Sequence, residues 1–182
     1  MAWAALIREY ADELALLETL NTGKPISHAM AIDINNTAYC VQWFAEAIDK
    51  IHGEVPDIAN HLHAVIRHEP MGVVAAIVPW NFPLMMASWK FAPALAAGNS
   101  VILKPSEKSP LTAIKVAALA KQAGIPDGVF NVLPGDGAVG QLLAQHMDVD
   151  CITFTGSTAV GRADCKRGCR FQFEEGLAGI GR

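Results

Sequence analysis

The sequence predicts an α/β fold: a parallel sheet with helices on both faces, preceded by two helices and a strand pair. Three observations predict it. From Gly72 onward, short apolar runs alternate with longer stretches of helical period. The runs are mostly apolar, as strands buried on both faces are. The polar, glycine- and proline-rich segments each follow one of those runs, where such sheets bind ligands.

Residues 2–20 read as an amphipathic helix, with Leu6, Ala11, Leu14, Leu17 and Leu20 near helical period, and Thr22-Gly23-Lys24-Pro25 ends it. Residues 28–51 read as a second, longer helix ending near Gly53. Helices this early, with no strand before them, predict that the start of a larger domain is missing and that Met1 is an internal or misassigned start. Residues 61–68 alternate loosely and read as a strand, and Glu69-Pro70-Met71-Gly72 is a break. The runs around that break are expected to pair, as an edge used in oligomer contacts. Residues 73–78 form the first buried strand. Residues 82–97 are helical, closed by Gly98-Asn99, and 100–103 are the second strand. Residues 110–123 form the next helix, with Ser109 as N-cap and Gly124 as C-cap. Residues 129–133 are a third strand, 138–146 a helix and 151–155 a fourth strand, and a helix is expected to start near Ser157.

The chain has 182 residues, 52% of them hydrophobic and 7% aromatic, which suits a globular protein with a sizeable core. A net charge of −4 argues against a nucleic-acid surface. Arg8, Glu9, Asp12 and Glu13 rule out reading the opening as a signal peptide. No apolar run reaches the roughly 18–20 residues of a membrane helix, so a cytoplasmic location is expected. Cys40, Cys151, Cys165 and Cys169 are irregularly spaced and predict no disulfide framework. Cys165 and Cys169 without nearby histidines make a poor zinc site, and no metal is expected.

Three segments carry chemistry. In Gly156-Ser157-Thr158-Ala159-Val160-Gly161, glycine permits close backbone approach, and a helix N-terminus offers N–H groups to a pyrophosphate. Alone, this weighs evenly against an ordinary strand–turn–helix junction. It is neither the GxGxxG fingerprint nor a P-loop. In Lys104-Pro105-Ser106-Glu107, a carboxylate can accept both hydroxyls of a ribose and a lysine can donate to them. Alone, four such residues read as a charged surface turn. Glu107 would repel a 2′-phosphate, which favours NAD over NADP. In Pro79-Trp80-Asn81-Phe82-Pro83, the Asn81 amide can stabilise an oxyanion, or simply cap the next helix. Trp80 and Phe82 are more often core residues than cofactor contacts.

Together these segments, in this order and each after a strand, resemble the cofactor-binding part of the NAD(P)-dependent aldehyde dehydrogenases. The stretches 126–135, from Pro126-Asp127-Gly128 to Pro134-Gly135, and 13–25, from Glu13-Leu14-Ala15 to Gly23-Lys24-Pro25, match as well. The resemblance covers residues 2–162, and residues 103–109 and 48–55 look most like the gamma-glutamyl-gamma-aminobutyraldehyde dehydrogenases. It implies a Rossmann-like sheet within an incomplete aldehyde dehydrogenase fold, an aldehyde substrate, NAD as cofactor with NADP as the alternative, and homo-oligomers. It also implies roles. Asn81 would bind the oxyanion of a thiohemiacetal, Lys104 and Glu107 the adenosine ribose, and Ser157 the pyrophosphate. Val160 would line the adenine side, and Ile77, Val78, Pro79 and Trp80 the cofactor cleft. Ser106, Gly135, Phe154, Gly156, Thr158 and Gly161 complete the cofactor set. The family's mechanism is cysteine attack on the aldehyde, hydride transfer to NAD(P)+, and hydrolysis by a glutamate-activated water.

After Arg162 the resemblance fails. The family expects an amphipathic helix and then a strand ending in Glu-Leu-Gly-Gly, which brings the general base. Here the residues are ADCKRGCRFQFEEGLAGIGR, without a clean helical period. Residues 171–182 can be encoded so that the next reading frame gives SNLKKVWLELG, close to the expected strand. A frame change shortly after Arg162 is therefore expected, with the general-base codon spanning Gly179 and Ile180. The predicted organisation is N-terminal helices at 1–60, an oligomer-contact strand segment at 61–71, an NAD-binding region at 72–162 and an out-of-frame tail at 163–182. No cysteine reads as the nucleophile. The expectation is an aldehyde dehydrogenase by descent that is inactive as translated. The alternative is a non-catalytic nucleotide-binding or subunit-interaction fragment.

Overall fold

The computed structural model describes residues 1–59, 61–158 and 161, and the backbone of 171–173. The strands are β1 (Val73–Ile77), β2 (Ser100–Lys104), β3 (Phe130–Val132), β4 (Cys151–Phe154) and β5 (Phe171–Phe173). They form one parallel sheet in the order β3-β2-β1-β4-β5. The helices are α1 (Ala2–Glu9), α2 (Ala11–Thr22), α3 (Ile26–His28), α4 (Asn35–Ala47), α5 (Pro83–Ala96), α6 (Leu111–Gln122) and α7 (Gly137–Gln145). From β1 the chain builds outward through β2 and β3. It then crosses back to set β4 on the other side of β1. That reversal is a topological switch point, and it lies between β1 and β4.

Alternation along the central strand divides the core in two, because successive side chains leave a strand on opposite faces. Val74, Ala76 and Val78 pack with Val101 and Leu103 under a thick layer that includes α1, α2, α4, α5 and α6. Phe91 is the largest fully buried side chain there, with its ring centroid 4.9 Å from that of Trp3 and 5.0 Å from that of Phe130. On the opposite face Ala75, Ile77, Ile152 and Phe154 pack against Leu143 and Ala144 of α7. Helices thus cover both faces, as the mostly apolar strands required. Gly72 precedes β1 with φ +124, and a Cβ there would collide with the Asp150 carboxylate that accepts from the Val73 N–H at 2.8 Å.

Several boundaries differ from the sequence expectation. The helix expected over 2–20 breaks at Tyr10 (φ −95, ψ 21) into α1 and α2. The break leaves the buried stripe of Trp3, Ala4, Ile7, Leu14, Ala15 and Glu18 in helical register, so periodicity alone reads through it. The helix expected over 28–51 starts at Ile26 and runs through a π-helical segment, Ala29–Ile34, into α4, with a final 3-10 turn at Ile48–Lys50. The expected strand over 61–68 is not formed. A single antiparallel bridge joins Glu54 and Ile66, with N–H···O distances of 3.0 and 2.8 Å. Two short runs without a third strand or a covered face do not sustain a ladder. Ser109 does not cap α6: Pro110 occupies that position, and the Ser109 hydroxyl is buried without a partner. β5, which falls within the expected out-of-frame tail, lies beside β4 and pairs Ile152 with Phe171 and Phe154 with Phe173. The rest of the expected out-of-frame tail lies outside the described residues. Among the described residues, no helix is long and apolar enough to cross a membrane.

Candidate cofactor and oxyanion site

The last rung of the sheet builds the site. In register, Ile77 of β1 stands between Lys104 of β2 and Phe154 of β4. The segments that follow those residues therefore leave the sheet at one end. Hydrogen bonds continue one step past the strands: Val78 N–H donates to Lys104 C=O at 3.2 Å, and Thr155 N–H to Ile77 C=O at 3.0 Å. Ile77, Val78, Phe154, Lys104 and Ser106 are buried, whereas Trp80, Asn81, Glu107, Gly156, Ser157 and Thr158 are exposed around them. The arrangement is an apolar floor with a polar rim, which is the usual build of a small-molecule site.

Lys104 and Glu107 face each other across 3.8 Å. Ser106 sits between them, donating to Glu107 Oε2 at 3.5 Å and accepting from the Lys108 N–H at 3.3 Å. Burial pushes the Lys104 ammonium below the usual lysine range, and the charges of Glu107 and Asp136 pull it back up. Asp136 is a member that the sequence reading missed. Its carboxylate caps α7, accepting from the Ala138 N–H at 2.9 Å. An Asp between Gly135 and Gly137, just ahead of a helix, is the signal that would have found it. Gly135 lies beside it and packs on Val139. A buried lysine flanked by exposed carboxylates is the donor and acceptor set that a vicinal diol needs, so these residues fit an adenosine ribose.

On the β4 side, Gly156 follows the strand and Ser157 C=O accepts from the Gly161 N–H at 3.1 Å, one helical turn on. Thr158 and Gly161 are helical, so a helix begins where it was expected. Val160 lies outside the described residues. The site residues expected from sequence that fall within the described set share this end of the sheet.

The Trp80–Asn81 turn is held from behind by acids and a lysine that sequence reasoning passed over. Glu18 of α2 is fully buried. Its carboxyl accepts from the Leu84 N–H of α5 at 3.2 Å and from the Thr112 hydroxyl of α6 at 2.7 Å. One side chain thus clamps the N-termini of both helices that follow β1 and β2, and neither helix carries a side-chain cap of its own. Glu18 thus does for α5 what a cap at Asn81 would have done, while at α6 the Leu111 N–H donates to Asn21 Oδ1 at 3.4 Å and Ser109 is not used. The available signal was a carboxylate sitting in the apolar stripe of α2.

Burial raises the Glu18 carboxyl from 4.5 to about 7, with Asp33 adding repulsion and Thr112, Leu84 and Lys24 opposing. Between these two values the folded protein binds more protons than the unfolded chain, so stability falls as pH rises through that window. The loss from pH 5 to pH 8 is roughly 3 kcal/mol at full linkage. Urea denaturation at the two pH values checks this: Glu18→Gln is expected to flatten the decline, and an unchanged slope in the variant would contradict it.

Residues 1–172 match the Aldehyde dehydrogenase family. The chain is 61% identical over 160 residues to the NADP/NAD-dependent aldehyde dehydrogenase PuuC of Escherichia coli (strain K12), which covers 87% of this chain and 32% of that relative. It superposes on the gamma-glutamyl-gamma-aminobutyraldehyde dehydrogenase of Burkholderia cenocepacia J2315 with a TM-score of 0.90 and 66% identity, covering 91% of this chain and 34% of that one. An indole-3-acetaldehyde dehydrogenase complexed with NAD+ gives a TM-score of 0.89 and 57% identity, again covering 91% and 34%. The chain spans about a third of the length of these relatives. With a family match along most of its residues and a sheet that superposes on solved members, this chain belongs to the aldehyde dehydrogenase family.

Proposed function

We propose that this chain is the cofactor-binding part of an NAD(P)-dependent enzyme that oxidises an aldehyde to a carboxylic acid. The observation that carries the reading is the last rung of the sheet. Lys104, Ile77 and Phe154 lie side by side there, with the Asn81 turn and the Gly156 turn leaving from the same end. When bound, NAD+ takes up the two electrons of the oxidation. Lys104 donates to the adenosine ribose, Glu107 accepts its hydroxyls, and Ser157 with the helix start beyond it meets the pyrophosphate. Ile77, Val78, Pro79 and Trp80 wall the cleft and exclude water. The Asn81 amide donates to the oxygen that becomes negative when the aldehyde carbon turns tetrahedral. The resemblance to gamma-glutamyl-gamma-aminobutyraldehyde dehydrogenase favours an aminoaldehyde substrate. A cytoplasmic location and subunit contacts through the exposed Leu62, Val65 and Met71 go with this reading.

The 182-residue chain by itself is read as catalytically inert. Cys40 is buried in the core and Cys151 opens β4 at the end opposite the site, and burial raises both thiols above the ordinary range. Neither supplies a thiolate beside Asn81. A frame change after Arg162 belongs to the same reading, and resequencing the DNA from that codon tests it. The test of function is calorimetric titration with NAD+ and NADP+, followed by a turnover assay with an aminoaldehyde. Binding without reduction of NAD+ is the expected result, and reduction would overturn inertness. NAD+ is expected to bind about threefold to tenfold more tightly than NADP+ because Glu107 repels a 2′-phosphate, an effect softened by its exposure to solvent. Glu107→Gln should narrow that gap. A gap that stays the same would remove Glu107 as its cause.

A further inference from the structure

Behind the Asn81 turn lies a second charged contact that the cofactor site does not use. Gly23 ends α2 with φ +74 and turns the chain so that Lys24 reaches back toward α5. The Lys24 ammonium carries three hydrogens and meets three acceptors: Asp33 Oδ1 and Oδ2, each at 2.9 Å, and the Asn81 carbonyl at 3.1 Å. Its Nζ also lies 4.3 Å from the centroid of the Phe82 ring. The Asp33 side chain is fully buried and that of Lys24 is 15% exposed, so little water competes with the pair.

Asp33 owes its place to the π-helical Ala29–Ile34 segment, which turns Ala29, Asp33 and Ile34 inward together. Its backbone carbonyl accepts from the Thr37 hydroxyl at 2.6 Å, which ties that segment to α4. The turn itself has few bonds to offer. Pro79 and Pro83 carry no N–H, and the Asn81 side chain is exposed. Rigidity at Asn81 therefore has to come from outside the turn, and Lys24 grips the peptide carbonyl of that residue.

We propose that Lys24, fixed by Asp33, is a positioning residue that sets the orientation of Asn81 and so aims its amide at the oxyanion. The proposal rests on the reading of Asn81 as the oxyanion donor and adds the residues that hold it. Neither touches substrate or cofactor.

The test uses the 182-residue chain labelled with 15N and 13C. Lys24→Met is expected to shift both the Asn81 carbonyl carbon resonance and the Asn81 side-chain amide resonances. Lys24→Arg, which keeps the charge and its donors, should restore most of both shifts. If Lys24→Met does not fold, Asp33→Asn, which removes the charge and one of the two oxygens that hold Lys24, should produce the same pair of shifts at smaller amplitude. Asn81 resonances that stay at their wild-type positions would overturn the proposal. So would a carbonyl shift with an unmoved side-chain amide, which would mean a bond that aims nothing. A change spread evenly through the core, without rescue by Lys24→Arg, would reduce Lys24 to a structural role and also overturn it. NAD+ added to the same wild-type sample reads the Lys104 and Glu107 resonances. Their failure to respond would defeat the cofactor reading and leave the Lys24 result standing.

Discussion

Phe91→Ala is expected to destabilise this chain by about 3–5 kcal/mol. Phe91 is fully buried, and its ring contacts those of Trp3 and Phe130, which lie 5.2 Å apart from each other. The three rings join α1, α5 and β3, so the cavity would open where the first helix meets the sheet. Trp3 is pinned by its indole N–H, which donates to the Val116 carbonyl at 3.2 Å, and cannot swing in to fill the space. Domains of this kind are stable by only about 5–15 kcal/mol, so the loss takes a large share. At roughly 2–4 °C per kcal/mol, the melting temperature should fall by about 6–20 °C. Leu16→Ala on the exposed side of α2 is the control, with an expected change within about 0.5 kcal/mol. Equal losses in the two variants would mean that the aromatic cluster is not the centre of the core.

The second large effect separates binding from folding. Lys104→Met should weaken NAD+ binding by about tenfold to 150-fold, the range for a lost hydrogen bond from a charged donor. The same change should leave stability intact or raise it. Burial already holds the Lys104 ammonium below its ordinary range, so the charged form costs free energy in the folded state. Methionine keeps the length of the stem without that cost. Calorimetric titration beside a urea melt reads both quantities. A loss of affinity that scales with a loss of stability would place Lys104 in the scaffold instead of the site.

Much of this was legible in the sequence, for reasons that differ by element. β1, β2 and β4 are short, mostly apolar runs alternating with helical stretches, and that pattern has one common solution, a parallel sheet covered on both faces. Lys104, Glu107, Asn81 and Gly156 follow those runs directly, so locating the strands located the segments. The parallel register then brings Ile77, Lys104 and Phe154 into one rung. Local pattern said nothing about Glu18, whose partners Leu84 and Thr112 are 66 and 94 residues away. It said nothing about Lys24 and Asn81, 57 residues apart. Caps and braces supplied across such distances leave no periodic trace: the local pattern offers Ser109 as the cap of α6, where Asn21 accepts from the Leu111 N–H, and Asn81 as an alternative cap of α5, where Glu18 accepts from the Leu84 N–H. The break at Tyr10 was invisible because the buried stripe continues through it. The strand expected over 61–68 failed because alternation reports a tendency to pair, and among the described residues the pairing stops at one bridge, Ile66 with Glu54.

The central claim is that the end of the sheet where β1, β2 and β4 meet holds NAD+. The most direct test is titration of the isotope-labelled 182-residue chain with NAD+, following each backbone amide. The account predicts saturable shifts confined to the amides of Ile77, Val78, Trp80, Lys104, Ser106, Glu107, Gly135, Asp136 and Gly156–Thr158. Shifts centred elsewhere, or none up to millimolar NAD+, would contradict it.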